Sequence, residues 1–207
     1  MTELLSRKDR ERQAKRQDIL KAARIVFADK GLHAATLDEI AEKAEFAQGT
    51  LYGYFANKDD LFISMLEEEI INFSEGIKDV LAHGLPPDQT VSSLVATMLR
   101  LFDQNVDLMR LLSQERSTLT MCKGGEQMQH RFLPHFKRLN DMVSRLVRDG
   151  VARGTFAKVD PDRAATAIFN LCHGAAVGSF MNGKKVDNPE DVKFITNLLL
   201  NGMRTSN

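Results

Sequence analysis

Both tyrosines of this 207-residue chain, Tyr52 and Tyr54, fall within one stretch, AQGTLYGYFANK, running from Ala47 to Lys58. The same stretch carries Gln48, Thr50 and Lys58. A glutamine amide places a donor beside an acceptor, the pair that matches the major-groove edge of adenine. Tyrosine and threonine hydroxyls and a lysine ammonium donate to phosphate oxygens. This set suits recognition of a nucleic acid rather than bond-making. No serine, cysteine or carboxylate constellation makes a case for catalysis, so an enzyme is not expected. His130 and His135 are five apart and share a helical face poorly, while Cys172 and His173 are neighbours pointing apart. Neither a metal site nor a cofactor is expected.

The elements that must hold these residues are helical throughout, because apolar residues recur at helical spacing and strand-like alternation is missing. Residues 17–30 place Ile19, Ala22, Ala23, Val26 and Phe27 on one stripe, and Gly31 supplies a stop. Thr36 and Glu39 form a capping box that opens a short helix through Ala44. A third helix is expected from Gly49 to Phe55, with Leu51 and Phe55 facing Ile40 and Phe27 in the core. Asn57 and Asp60 mark the start of a fourth, from Lys58 to Ala82. Gly84 and the Pro86-Pro87 pair break the pattern. Further helices are expected at 88–104, 106–121 and 126–152, the last kinked or restarted at Pro134. Asp160-Pro161 and Asn188-Pro189 open the final two. Two helices joined by a short turn, the second with a polar and aromatic outer side, describe a helix-turn-helix whose second helix enters the major groove.

On these residues the chain resembles the TetR family of ligand-responsive transcriptional regulators, through TLDEIAEKAEFAQGTLYGYFANKDDL at 36–61 and the preceding ILKAARIVFADKGL. The resemblance implies an all-α fold of about nine helices. A DNA-binding helix-turn-helix domain with a basic arm would occupy residues 1–58, and an effector-binding and dimerisation domain 59–207. It implies that Thr36 and Lys58 hold phosphates at the two flanks, that Gln48, Gly49, Thr50 and Tyr52 face bases and nearby backbone, and that Tyr54 reaches phosphate. Three positions depart from the family pattern. Glu45 stands where glycine commonly makes the turn, Ala47 where serine commonly caps the recognition helix, and Gly53 where an aromatic is frequent. A lost serine cap costs about 1 kcal/mol, and a left-handed turn strains any residue with a Cβ.

The C-terminal half carries a weaker resemblance in VARGTFAKVDPDRAATAIFNLCHGAAVGSF. It implies an effector cavity between the fifth and eighth helices, for which Met98, Phe102, Met109, Met121, Phe132, Phe136, Met142 and Phe169 supply soft or aromatic lining. His173, Asn170, Glu115 and Arg116 are the candidate polar anchors. The lining favours a small apolar effector. Ala167, Leu171, Gly174 and Gly178 form a small-residue stripe, and Val192, Ile195 and Leu199 a second one on the last helix. By resemblance these stripes make a homodimer interface, which lets two reading helices address a palindromic operator in double-stranded DNA.

Composition sets the remaining bounds. Charges balance at 28 basic and 28 acidic residues, yet residues 1–16 hold six Lys/Arg against three acids and residues 59–85 hold Lys78 against seven acids. Two distant cysteines, Cys122 and Cys172, fit a reducing cytoplasm. The basic N-terminus lacks a following apolar region, and the apolar run from Leu171 to Met181 reads as too short to span a bilayer, so no membrane partner is expected. The function expected is a sequence-specific DNA-binding repressor released by the effector. Glu45, Ala47 and overall neutrality leave one alternative, a small-molecule-binding helical dimer without operator selectivity.

Overall fold

The computed structural model describes residues 6–114 and 124–203, with side chains described at 6–111 and 130–202. Expectations placed on Glu115, Arg116, Met121 and Cys122 therefore lie outside the described residues. Nine helices make up the described chain: α1 Arg7–Ala34, α2 Leu37–Lys43, α3 Gln48–Tyr52, α4 Lys58–Ala82, α5 Pro87–Gln104, α6 Val106–Gln114, α7 Gly124–Ala152, α8 Pro161–Met181 and α9 Pro189–Met203. The all-α expectation holds. The chain divides into two compact units, residues 1–69 with 110–129, and residues 70–109 with 130–207.

Helix α1 starts ten residues earlier than its apolar stripe predicts. The Ser6 hydroxyl accepts from the Asp9 backbone N–H, and Arg7 pairs with Glu11 one turn on at 2.8 Å, so a polar segment without a core face is capped and bridged into helix. The expected basic arm is thus a helical extension. Gly31 breaks α1 at φ 76°, a backbone that glycine reaches without a Cβ penalty. In the first unit α1 packs on α2 and α2 on α3 around Phe27, Ile40, Leu51, Phe55 and Phe62, all buried. The rings of Phe27 and Phe62 meet edge to face at 5.3 Å. Arg16 and Arg24 of α1 reach Glu68 and Glu69 of α4 at 3.5 and 3.0 Å.

In the second unit α5 packs against both α8 and α9, burying Leu94, Val95, Met98 and Leu99 with Ile168, Cys172 and Ile195. Burial pushes the Cys172 thiol up to about 12, so it remains protonated and packs as a small apolar group. The Ser144 hydroxyl of α7 donates to Asp162 at 2.6 Å at the start of α8. The Asp103 carboxylate of α5 accepts from the backbone N–H groups of Val186 and Asp187, clasping the connection between α8 and α9. Helix α7 passes through Pro134 without a restart. Pro134 is exposed, so the His130 carbonyl that loses its helical partner faces water. Helix α8 corrects the bilayer estimate: taken whole, Pro161–Met181 is long and apolar enough to cross a membrane by length and composition, although only 22% of that window is buried in the fold.

The turn between α2 and α3 carries the local strain. Glu45 is the one non-glycine residue with positive φ among the described residues, at 59°, and the Phe46 N–H closes the turn on the Ala41 carbonyl at 2.9 Å. A left-handed residue with a Cβ costs about 1–2 kcal/mol, and glycine returns part of that gain through its greater unfolded-state freedom. Glu45→Gly is therefore expected to raise stability by about 0.5–1 kcal/mol, read as a higher urea midpoint at unchanged m-value. A lower midpoint would show that the glutamate side chain stabilises the turn by more than its backbone strains it.

Candidate nucleic-acid interface and ligand cavity

Helix α3 is a five-residue helix held by its buried side. Leu51 is 1% exposed and Phe55, just past its end, is 4% exposed. The opposite side is left to solvent: Gln48 and Gly49 are exposed, Tyr52 is 55% exposed, and Thr50 and Tyr54 are half-buried. A Cβ placed on Gly49 would meet no atom within 4 Å, so the space before it is open to an incoming molecule. Ala47 precedes the helix with no side-chain cap, and the Thr50 N–H closes the first turn on the Ala47 carbonyl at 2.8 Å. Gly53 ends the helix in a right-handed conformation. The helix is thus shorter than the 49–55 span its sequence pattern predicts.

The flanks are built by capping. Thr36 accepts from the Glu39 N–H at 3.3 Å while the Glu39 carboxylate accepts from the Thr36 N–H at 3.1 Å, so the capping box exists. Lys30 bonds the same carboxylate at 2.7 Å and, ahead of the Thr36 backbone, holds Glu39 below its usual titration range. At the start of α4, Asn57 accepts from the Asp60 N–H at 2.8 Å and Asp60 from the Ala56 N–H at 2.9 Å. Lys58 sits here with two of its three donors committed, to the carbonyls of His33 at 3.0 Å and Ala35 at 2.8 Å. A cation at the C-terminal end of α1 also complements that helix's dipole.

One contributor is only half visible in the sequence pattern. The Arg12 guanidinium lies 5.8 Å from the centroid of Tyr54 and that of Arg16 lies 5.5 Å from Phe55. The basic face of the α1 extension therefore sits beside the aromatic residues that follow α3. The signal was present in the i, i+4 spacing of the two arginines, but a pairing with residues forty positions away is not encoded locally.

The second unit contains a cavity of about 390 Å³ lined by α5, α7 and α8. Of the residues expected in an effector pocket, Met98, Phe136 and Phe169 line it. Phe102 is buried behind it, with its ring 6.1 Å from Phe169. Met109 and Met142 pack on the core without lining the cavity, and Phe132 is buried elsewhere on α7. His173 and Asn170 are exposed and do not line it; the His173 ring stacks on Phe169 at 6.1 Å and 5°. Leu133, Lys137, Leu139, Asn140, Val143, Ala165 and Thr166, not singled out from sequence, complete the wall.

The expected interface stripes divide. Ala167, Leu171 and Gly174 are exposed and Gly178 is half-buried, and a Cβ at either glycine would meet nothing within 4 Å. On α9 the assignment is corrected: Ile195 and Leu199 are 3% and 7% exposed inside the core, and Val192 packs against it. The helix is apolar on two sides, and its outward side presents Phe194 at 66% and Leu198 at 49% exposure, with Met181 of α8 at 77%.

A three-helix head with a short, solvent-presented second reading helix on a buried anchor defines a helix-turn-helix DNA-binding protein. Comparison with known proteins narrows the class. Residues 19–65 match the family model of bacterial regulatory proteins, tetR family, and residues 92–188 match that of the tetracyclin repressor-like C-terminal domain. The chain belongs to the TetR family. It is 23% identical over 197 residues to the fatty acid metabolism regulator protein of Bacillus subtilis, covering 94% of this chain and 98% of that one. Its fold matches the fatty acid degradation regulator FadR from Bacillus halodurans with TM-score 0.76, 25% identity and coverage of 93% and 97%. It also matches FadR from Bacillus subtilis, solved in complex with stearoyl-CoA, with TM-score 0.75, 21% identity and coverage of 90% and 98%.

Lys58→Ala removes two charge-assisted bonds to backbone carbonyls, each worth about 1.5–3 kcal/mol where burial is partial. The expected result is a measurable loss of thermal stability, with the slope of log DNA affinity against log salt falling by less than the ~2 that a lost phosphate contact in each of two subunits would produce. An unchanged melting temperature together with the full slope change would make Lys58 a pure phosphate ligand.

Proposed function

We propose that this protein is a homodimeric, cytoplasmic transcriptional repressor that leaves its operator when an apolar effector enters the cavity of the second unit. The observation that carries the reading is the asymmetry of α3: Leu51 and Phe55 are sealed into the core while Gln48, Gly49 and Tyr52 are given to solvent. A solvent-facing amide and phenol are retained on a helix too short to stand alone, and the docking of such a helix in a major groove explains both facts. In this reading Gln48, Gly49, Thr50 and Tyr52 meet bases and adjacent backbone. Thr36 and Tyr54 hold phosphates, Lys58 adds a weaker attraction through its third donor, and residues 1–58 act as the reading head. Residues 59–207 hold the effector and the partner.

Dimerisation is supported by the outward apolar side of α8 and α9, where Leu171, Met181, Phe194 and Leu198 surround glycines with open space above them. The same helix α8 meets the length test for a membrane span, but Asn170 and His173 lie exposed at its middle and favour a partner helix over lipid. Two heads related by a two-fold axis read half-sites about 34–36 Å apart. Regulators of fatty acid metabolism among the relatives favour an acyl compound as effector. Coupling requires two arrangements of the dimer with different effector affinity, and α4, one continuous helix, is one covalent link between the two units.

Operator selection from random DNA, followed by titration of Gln48→Ala, tests the reading. The variant is expected to lose about 1–3 kcal/mol per half-site on the selected operator and almost nothing on unrelated DNA. Equal losses on both, or no selected operator at all, would favour a ligand-binding dimer without operator selectivity. For the interface, Gly174→Leu is expected to shift sedimentation toward monomer, since the added side chain fills space that a partner helix needs. An undisturbed dimer would move the interface away from α8.

A further inference from the structure

The cavity of the second unit has a direction. Its inner wall is made by Met98, Leu139, Val143 and Ala165, all buried at 0–4% exposure. Its outer lip is made by Leu133 and Phe136, exposed at 68% and 42% although both are large and apolar. The polar lining groups, Lys137, Asn140 and Thr166, are likewise exposed or half-buried. The Thr166 hydroxyl donates to Asn140 Oδ1 at 3.1 Å, which occupies the amide oxygen. Among the described residues the Lys137 ammonium and the Asn140 amide nitrogen have no partner, and no carboxylate lines the cavity. The mouth thus offers donors and one positive charge, and the interior offers hydrocarbon.

Resting on the effector reading above, we propose that this cavity takes a single unbranched acyl chain, methyl end inward, with an anionic, oxygen-bearing head held by Lys137 and Asn140, and that its inner wall at Ala165 caps the chain at about a dozen carbons. The cap follows from volume. A methylene group is close in size to a water, whose share of the liquid is ~30 Å³, so about 390 Å³ holds about a dozen such groups. A rigid polycyclic effector of that volume would leave the Lys137 charge and the Asn140 donors unmatched unless it too carried an anion. An uncharged hydrocarbon would fill the interior and forgo the mouth. The exposed Leu133 and Phe136 then have a role, as the collar around the carbons nearest the head. The head chemistry is common to a free carboxylate and to the phosphates of a coenzyme A thioester.

The test is calorimetric titration of the full-length protein, without DNA, with saturated fatty acids and acyl-CoAs from six to eighteen carbons and with 1-dodecanol. Affinity is expected to rise about fourfold per added carbon (about 0.8 kcal/mol per CH₂) up to about twelve carbons and to gain nothing beyond. Both anionic series should bind about tenfold tighter than the alcohol, and the tighter of the two names the source of the head. Lys137→Glu, an exposed substitution that leaves the core untouched, should weaken dodecanoyl ligands by about tenfold more than it weakens dodecanol. Ala165→Leu should move the plateau to a chain about three carbons shorter. A steady rise through eighteen carbons, equal loss of acid and alcohol in Lys137→Glu, or no binding of any chain overturns the proposal. A separate operator-release assay keeps the two readings apart. Chains that bind with the expected plateau but leave the operator complex intact would sink effector-released repression and keep the acyl site. Release by a compound that does not compete with dodecanoate would keep the regulation and sink the site.

Discussion

A helix of five residues has no stability of its own in water, because nucleation fixes several dihedrals for a single hydrogen bond and isolated helices below about 12 residues are marginal. The reading helix α3 exists only because Leu51 and Phe55, four residues apart, are buried against the side of α2 and α1. That one constraint orients every outward group. Burial of Leu51 sets the rotation of the helix about its axis, and Gln48, in its first turn, and Tyr52, at its end, are left exposed. It also explains why a missing cap at Ala47 and a left-handed Glu45 are tolerated: burying two large apolar side chains is worth several times what either defect costs.

Charge follows the same economy. The surplus of cations at the N-terminus and of acids on α4 look in sequence like two poles meant for outside partners. In the first unit part of each is spent internally, Arg16 on Glu68 and Arg24 on Glu69, while Lys30 answers Glu39. What remains on the α1 extension is a helical row of basic residues beside Tyr54. Net neutrality therefore describes the whole chain and not the side of the head that carries α3.

The head was legible because its signals are local. Thr36 with Glu39 and Asn57 with Asp60 are hydrogen-bond pairs three residues apart, and a short-range pattern contains both partners. The same holds for Gly31 and for the two Asx-Pro starts. The start of α1 was hidden, because a polar helix without a buried stripe has no periodicity to detect and depends on Ser6 and on Arg7–Glu11 instead. The second unit was legible in class but not in detail. Methionines and phenylalanines announce a soft interior, yet only tertiary packing separates Phe136, which lines the cavity, from Phe132 one turn away, which does not. On α9 two apolar stripes compete, and the choice of Ile195 and Leu199 over Phe194 and Leu198 for the core is made by α5.

The clasp at Asp103 is made to backbone, not to side chains. Its carboxylate reads the presence of two N–H groups at Val186 and Asp187 and nothing about which residues carry them. Natural variation along the 184–188 connection is thereby decoupled from its anchoring. Position 187 can drift through any amino acid that retains an N–H, and proline alone is barred. Position 186 is held more narrowly, since Val186 is also 1% exposed within the core. The stretch between the two helices of the outward apolar side can thus be rewritten to suit a new neighbour without loosening its hold on the fold.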